Sequence, residues 1–187
     1  MSNPIKAQSI FLVTGPVRGG KTTFLTSLIL RLKQNELRVA GILCPGKFSS
    51  GKRSAFSLKN IQTGEELPMA SIQDETGWFK YRRFWFNPEA FRLGEIWIRE
   101  GLKKDAQIMV IDELGPMELE RSGWSELLNI LAETTIPVQL WSVRESIIEE
   151  VMKRWSIPPA NLIHIDKLAV DQAAALISEK LKNTSAY

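Results

Sequence analysis

Eight consecutive residues carry the most specific chemistry in the chain: Gly15-Pro16-Val17-Arg18-Gly19-Gly20-Lys21-Thr22. Glycine, four residues, glycine, lysine and then a hydroxyl residue is the spacing of a phosphate-binding loop. Glycines at those positions let backbone N–H groups turn inward around phosphate oxygens. A helix starting near Lys21 would aim its positive dipole end at the same anion. Lys21 is expected to bridge the β- and γ-phosphates of a nucleoside triphosphate, and the Thr22 hydroxyl to ligate an accompanying Mg²⁺. Gly15 to Thr22, with Thr23, are therefore the candidate nucleotide-binding residues. An ordinary turn with an exposed lysine is the bland alternative, and it leaves the octet's position between an apolar run and an amphipathic one unexplained.

Such a loop needs an acidic element for its metal. Gln107-Ile108-Met109-Val110-Ile111-Asp112-Glu113 supplies one at the end of an apolar strand. Asp112 is expected to hold the metal or a water bound to it. A second carboxylate beside it, Glu113, would polarise an attacking water, which favours hydrolysis over a simple switch. The competing reading makes the pair a solvated strand end that caps the next helix.

These residues must be positioned by a scaffold, and periodicity outlines it. Ser9 to Thr14 suits a strand buried on both faces; Phe24, Leu25, Leu28, Ile29 and Leu32 then mark an amphipathic helix from Lys21 to about Asn35. A second strand over Arg38 to Cys44 leads into a glycine- and serine-rich loop. Ser54 to Leu58, Thr63-Gly64 and Leu67 to Ile72 then read as a hairpin. Trp78 to Phe91 gathers seven aromatic residues beside Lys80, Arg82 and Arg83. The favoured reading is an aromatic strand closing a core under the hairpin, with a base-stacking or partner-docking surface as the rival. Asn87-Pro88 starts a helix running to about Gly101. Strands at 107–111, 138–141 and 162–165 alternate with helices at 118–132, 145–155 and 169–182. The fold class is therefore α/β. Residues 1–187 form one domain, with a hairpin and aromatic insertion at about 45–90.

Composition excludes several alternatives. A chain of 187 residues can bury about 70% of its unfolded surface without staples. The single cysteine, Cys44, rules out an internal disulfide and suits a reducing compartment. The single histidine, His164, rules out a histidine-rich zinc site. A net charge of +3, from 24 basic and 21 acidic residues, is too mild to announce a nucleic-acid partner, and with no concentrated basic stripe a nucleic-acid role is the least expected. No apolar run approaches the ~20 residues needed to cross a bilayer. The brief apolar stretch after Lys6 does not resemble a secretory leader, so the expected location is cytoplasmic.

The chain resembles the small P-loop nucleoside-triphosphatases first described from hyperthermophiles, a family that includes a cancer-related human member. The likeness spans most of the chain. It rests on GPVRGGKTT, on GILCPGKFSSGKRSAFSL and above all on VIDELGPMEL, where Asp112, Glu113, Gly115, Met117, Glu118 and Leu119 fit the family pattern. The resemblance implies that Lys21 and Thr22 bind phosphate and Mg²⁺, Asp112 the metal and Glu113 the water. It departs at Arg18, where the family often carries glycine. It also implies a three-layer fold with a mainly parallel sheet in RecA-like order, in which another strand lies between the phosphate-loop strand and the metal strand. Strand 138–141 is the candidate, which would bring Ser142 and Arg144 to the carboxyl edge of the sheet beside the γ-phosphate. Arg144 is then either a catalytic arginine or a solvated residue of the next helical turn. Arg18 and Arg53 are open in the same way, and Glu118 is read as a helix cap or a brace for the metal site.

The implied activity is Mg²⁺-dependent hydrolysis of nucleoside 5′-triphosphates, ATP and GTP among them, to diphosphate and phosphate. Two rivals stand beside it: a small-molecule or nucleotide kinase, and a nucleotide-controlled protein-binding module. A protein partner or a second copy of the chain is left open. No Asn-Lys-x-Asp guanine signature is present, so base preference is unreadable.

Overall fold

The computed structural model describes residues 9–184. Lys6 and the outermost ends of the 1–187 domain span lie outside the described residues. Five parallel strands form the centre of the sheet: β1 (Ile10–Thr14), β2 (Val39–Leu43), β8 (Ile108–Leu114), β9 (Val138–Val143) and β10 (Leu162–His164), in the order β10-β1-β9-β8-β2. β1, β2 and β9 are buried at every position, as expected of parallel strands covered on both faces. β9 lies between β1 and β8, the RecA-like order. The strand that follows the acidic strand in sequence thus separates it from the phosphate-loop strand.

Helices cover both faces in two apolar cores. α1 (Lys21–Gln34) and α6 (Val170–Thr184) bury Leu25, Leu28, Leu32, Ala173, Ile177 and Leu181 on one face. α2 (Pro88–Lys103), α4 (Ser125–Ala132) and α5 (Ile148–Arg154) cover the other with Trp97, Ile98, Leu128 and Val151. Asn87 caps α2 by accepting from the Glu89 amide, and Pro88 stands in its first turn, as its sequence predicts. Among the described residues no helix is long and apolar enough to cross a membrane.

Two expectations need correction. The single helix over 118–132 is instead α3 (Pro116–Leu119) and α4, separated by a turn in which Gly123 has φ +57°. The buried Glu118 carboxylate accepts from the Gly115 amide ahead of α3 and from the Trp124 amide across that break, a donor that a continuous helix would have paired internally. The helix over 145–155 begins as a 3₁₀ turn at Glu145–Ile147 before α5.

The insertion is larger than a hairpin. β3 (Gly46–Ser49), β4 (Lys52–Asn60), β5 (Glu66–Ser71), β6 (Phe79–Tyr81) and β7 (Phe84–Phe86) extend the sheet antiparallel from the β2 edge. Phe86 packs on Phe56, Phe79 and Phe91, and the Phe91 ring lies 4.8 Å from that of Trp124, tilted by 45°. The aromatic stretch therefore closes a core, which was the favoured expectation.

Candidate active site

The phosphate loop follows β1 without interruption. The Gly19 amide donates to the Pro16 carbonyl at 2.9 Å, and Gly20, at φ +87°, turns the chain into α1. No side chain caps α1, so the first-turn N–H groups stay available to an anion. Lys21 Nζ donates to the Gly15 and Pro16 carbonyls at 3.3 Å each, folding its head over the loop. Arg18 adopts φ +64°, the left-handed conformation that glycine takes most easily. The departure at this position is thus a strained backbone carrying an exposed cation.

Asp112 is fully buried and accepts from four directions. Its Oδ2 receives the Thr22 hydroxyl at 2.9 Å and the Cys44 amide at 3.0 Å. Its Oδ1 receives the Ser142 hydroxyl and, at 3.0 Å, the Glu113 amide. Burial pushes its pKa up, with the Glu113 charge adding to that, while bonds from Ser142, Cys44 and Thr22 oppose it. Strands β1, β2, β8 and β9 all end at this carboxylate or beside it, and Thr14 Oγ1 ties β1 to β9 by donating to the Val143 carbonyl at 3.1 Å.

Glu113 faces differently because the strand is bulged. Ile111 pairs with Trp141 and Leu114 with Val143, so β8 carries one more residue than β9 over that interval. Glu113 sits in the bulge at φ +66°. Bulges beside sites re-aim side chains; here the bulge lets two adjacent carboxylates serve one place, Asp112 inward to Thr22 and Glu113 into a cavity. The Glu113 amide donates to Ser142 Oγ at 2.8 Å, and its carboxylate meets Arg53 Nη1 of β4 at 2.5 Å.

That cavity has a volume of about 950 Å³. Of the predicted nucleotide-binding residues, Val17, Arg18, Gly20, Lys21, Thr22 and Thr23 line it, and so do Glu113 and Arg144; Gly15 and Asp112 are buried outside its lining, and Pro16 and Gly19 face solvent. Arg144 is exposed and follows β9, immediately before the 3₁₀ turn. Glu118 caps its own helix and does not touch Thr22 or Asp112. Burial raises its pKa to about 7, against bonds from the Gly115 and Trp124 amides that lower it.

The donor set suits a magnesium ion that arrives with a ligand. Among the described residues no group of three His, Cys, Asp or Glu side chains could hold a metal unaided. The Thr22 proton is committed to Asp112, which leaves the threonine oxygen free to accept a cation. Both Asp112 oxygens already carry two protein donors, which fits a carboxylate acting through Thr22 or a bound water. Sequence reasoning missed the Ser142 hydroxyl and the Cys44 amide as Asp112 partners, since neither residue type nor spacing signals a cross-strand bond.

A family model described as NTPase matches residues 10–172. The nucleoside-triphosphatase THEP1 of Ignicoccus hospitalis is 32% identical over 108 residues, covering 58% of this chain and 60% of that protein. Its namesakes from Saccharolobus solfataricus and Methanocaldococcus jannaschii are each 32% identical, covering 67% of this chain and 71% and 73% of theirs. A solution structure titled as a human cancer-related nucleoside triphosphatase superposes with TM-score 0.64 at 18% identity, over 94% of this chain and 97% of that one. The crystal structure of THEP1 from the hyperthermophile Aquifex aeolicus superposes with TM-score 0.62 at 18% identity, over 94% and 98%.

Proposed function

The chain belongs to the NTPase family of nucleoside-triphosphatases, and from that premise we propose that it hydrolyses the terminal phosphoanhydride of nucleoside 5′-triphosphates, with magnesium, to diphosphate and phosphate. The observation that carries the reading is the convergence of Thr22, Asp112, Ser142 and Glu113 at the mouth of the phosphate loop. Residues Gly15 to Thr23 would wrap the phosphate chain with backbone N–H groups, and Lys21 would leave its own loop carbonyls for the β- and γ-oxygens. Thr22 would ligate the magnesium and Asp112 would fix Thr22; the ion, when bound, neutralises charge on the phosphate oxygens.

Glu113 would accept the proton of the attacking water, its carboxylate aimed into the cavity by the bulge. Arg144 would stabilise charge on the transferring phosphoryl group, a role worth on the order of 10³ to 10⁵ in rate. The buried free thiol of Cys44 suits a reducing compartment, consistent with a cytoplasmic protein. The test is phosphate release from each nucleoside triphosphate in turn, with and without magnesium, against Lys21→Ala. Release that needs magnesium and is lost in Lys21→Ala supports the reading; equal release by the variant overturns it.

A further inference from the structure

The cavity changes character along its length. Lys21 and Thr22 line it at the loop; Arg53, paired with Glu113, lies 5.5 Å over the Phe56 ring, which meets Phe84 at 5.4 Å, and Phe91, Trp124 and Arg83 line the cavity as well. An attacking water needs no aromatic wall. Ligand pockets span about 300–1,000 Å³, so about 950 Å³ lies at the upper end, generous for one ligand held by its phosphates.

The charges of this far half do not balance. Arg53 is matched by Glu113 and Arg144 acts on the Glu118 carboxyl, but among the described residues Arg83 makes no ion pair with a carboxylate. The Arg83 guanidinium lies 4.6 Å over the Phe84 ring and donates at 3.2 Å to the Arg53 carbonyl. Glu118, the other acid lining the cavity, is buried and pushed up to about 7, which dilutes its charge at neutral pH. The wall is also held in place: Tyr81 Oη and Arg82 Nη2, at the β6–β7 turn, donate to Glu120 beyond α3 at 2.9 and 3.1 Å. A preformed aromatic wall with a surplus guanidinium fork suits a flat ring that carries a phosphate.

We infer that the half of the cavity beyond Glu113 is a second ligand site, for a planar-ring phosphate monoester whose phosphate competes with Glu113 for the Arg53 guanidinium. The ring seats against Phe84 and Phe91, and the phosphate engages Arg83 and Arg53. Arg53 then turns from the carboxylate to the incoming anion, so that filling the site releases Glu113. The site shares the cavity with the proposed triphosphate position and does not depend on it.

Calorimetric titration of the intact protein tests this with phenyl phosphate, AMP and UMP as ring phosphates, and ribose 5-phosphate and inorganic phosphate as ringless controls. Each is titrated with and without magnesium and a non-hydrolysable ATP analogue. The expected result is one equivalent of phenyl phosphate bound beside the analogue, with ribose 5-phosphate at least about tenfold weaker. Arg83→Ala and Phe84→Leu should each weaken phenyl phosphate by about tenfold with thermal midpoints retained. Should either variant unfold, the contrast between ring and ringless phosphates still decides. No binding of any ring phosphate at millimolar concentration, equal binding of ringless phosphates, or displacement by the analogue would each overturn the inference. If the analogue itself fails to bind, the triphosphate reading falls, while titrations without it still decide the second site.

Discussion

Arg53 Nη1 lies 2.5 Å from Glu113 Oε1, so the inserted sheet holds the carboxylate that the proposed hydrolysis depends on. Both side chains are largely buried, at 22% and 16% exposure, which places the pair out of full solvent screening. A carboxylate held by a guanidinium faces the arginine and not an attacking water. Arg53→Ala should therefore raise unstimulated phosphate release by about fivefold, the equivalent of roughly 1 kcal/mol of pairing. Steady-state kinetics at saturating triphosphate reads this directly; a fall in kcat would mean that Arg53 assists the reaction.

Ser142 joins the two carboxylate positions, donating to Asp112 and accepting from the Glu113 amide. Ser142→Ala removes one of two partners from Asp112 Oδ1 and from the Glu113 amide, at a cost of about 1 kcal/mol. Urea unfolding should show a lower midpoint with an unchanged slope, and turnover should fall with it. An unaltered midpoint would show that the backbone of the bulge holds itself.

Glu118 predicts a pH dependence of stability. Its carboxyl titrates near 7 when folded, and the ordinary value is 4.5. Between those values the folded chain holds a proton that the unfolded chain has released, so stability falls as pH rises through the window and levels off above it. Below the window both states are protonated and the penalty vanishes. The full shift corresponds to about 3 kcal/mol. Glu118→Gln should flatten the profile of unfolding free energy between acid and neutral pH; an equally steep profile would assign the slope to another group.

Arg18 holds a left-handed backbone inside the phosphate loop. Arg18→Gly should relieve about 1 kcal/mol of strain, partly offset by the greater freedom of glycine when unfolded. Thermal unfolding should show an unchanged or slightly higher midpoint. A clear drop would mean that the arginine head makes an interaction that outweighs its backbone.

Much of this architecture was legible because it is periodic or local. The loop octet, the apolar strands and the Asn87-Pro88 helix start are short-range patterns, and the position of β9 between β1 and β8 followed from the class of loop and acidic strand. What stayed hidden is of other kinds. The break at Gly123 depends on a buried carboxylate, Glu118, replacing helical hydrogen bonds. The bulge at Glu113 depends on the register of two strands, which no single segment encodes. Arg53 stood open as a candidate arginine, but its partner lies 60 residues away in sequence. The aromatic stretch read as core material and is that, and it also walls the cavity.

The central claim is that Glu113 activates water for attack on a triphosphate held by Lys21 and Thr22. Single-turnover hydrolysis by Glu113→Gln, with triphosphate affinity measured on the same protein, tests it most directly. The account predicts retained affinity and a rate lowered by about 10² to 10⁴, the usual contribution of a general base. Retained affinity with an unchanged rate would contradict it.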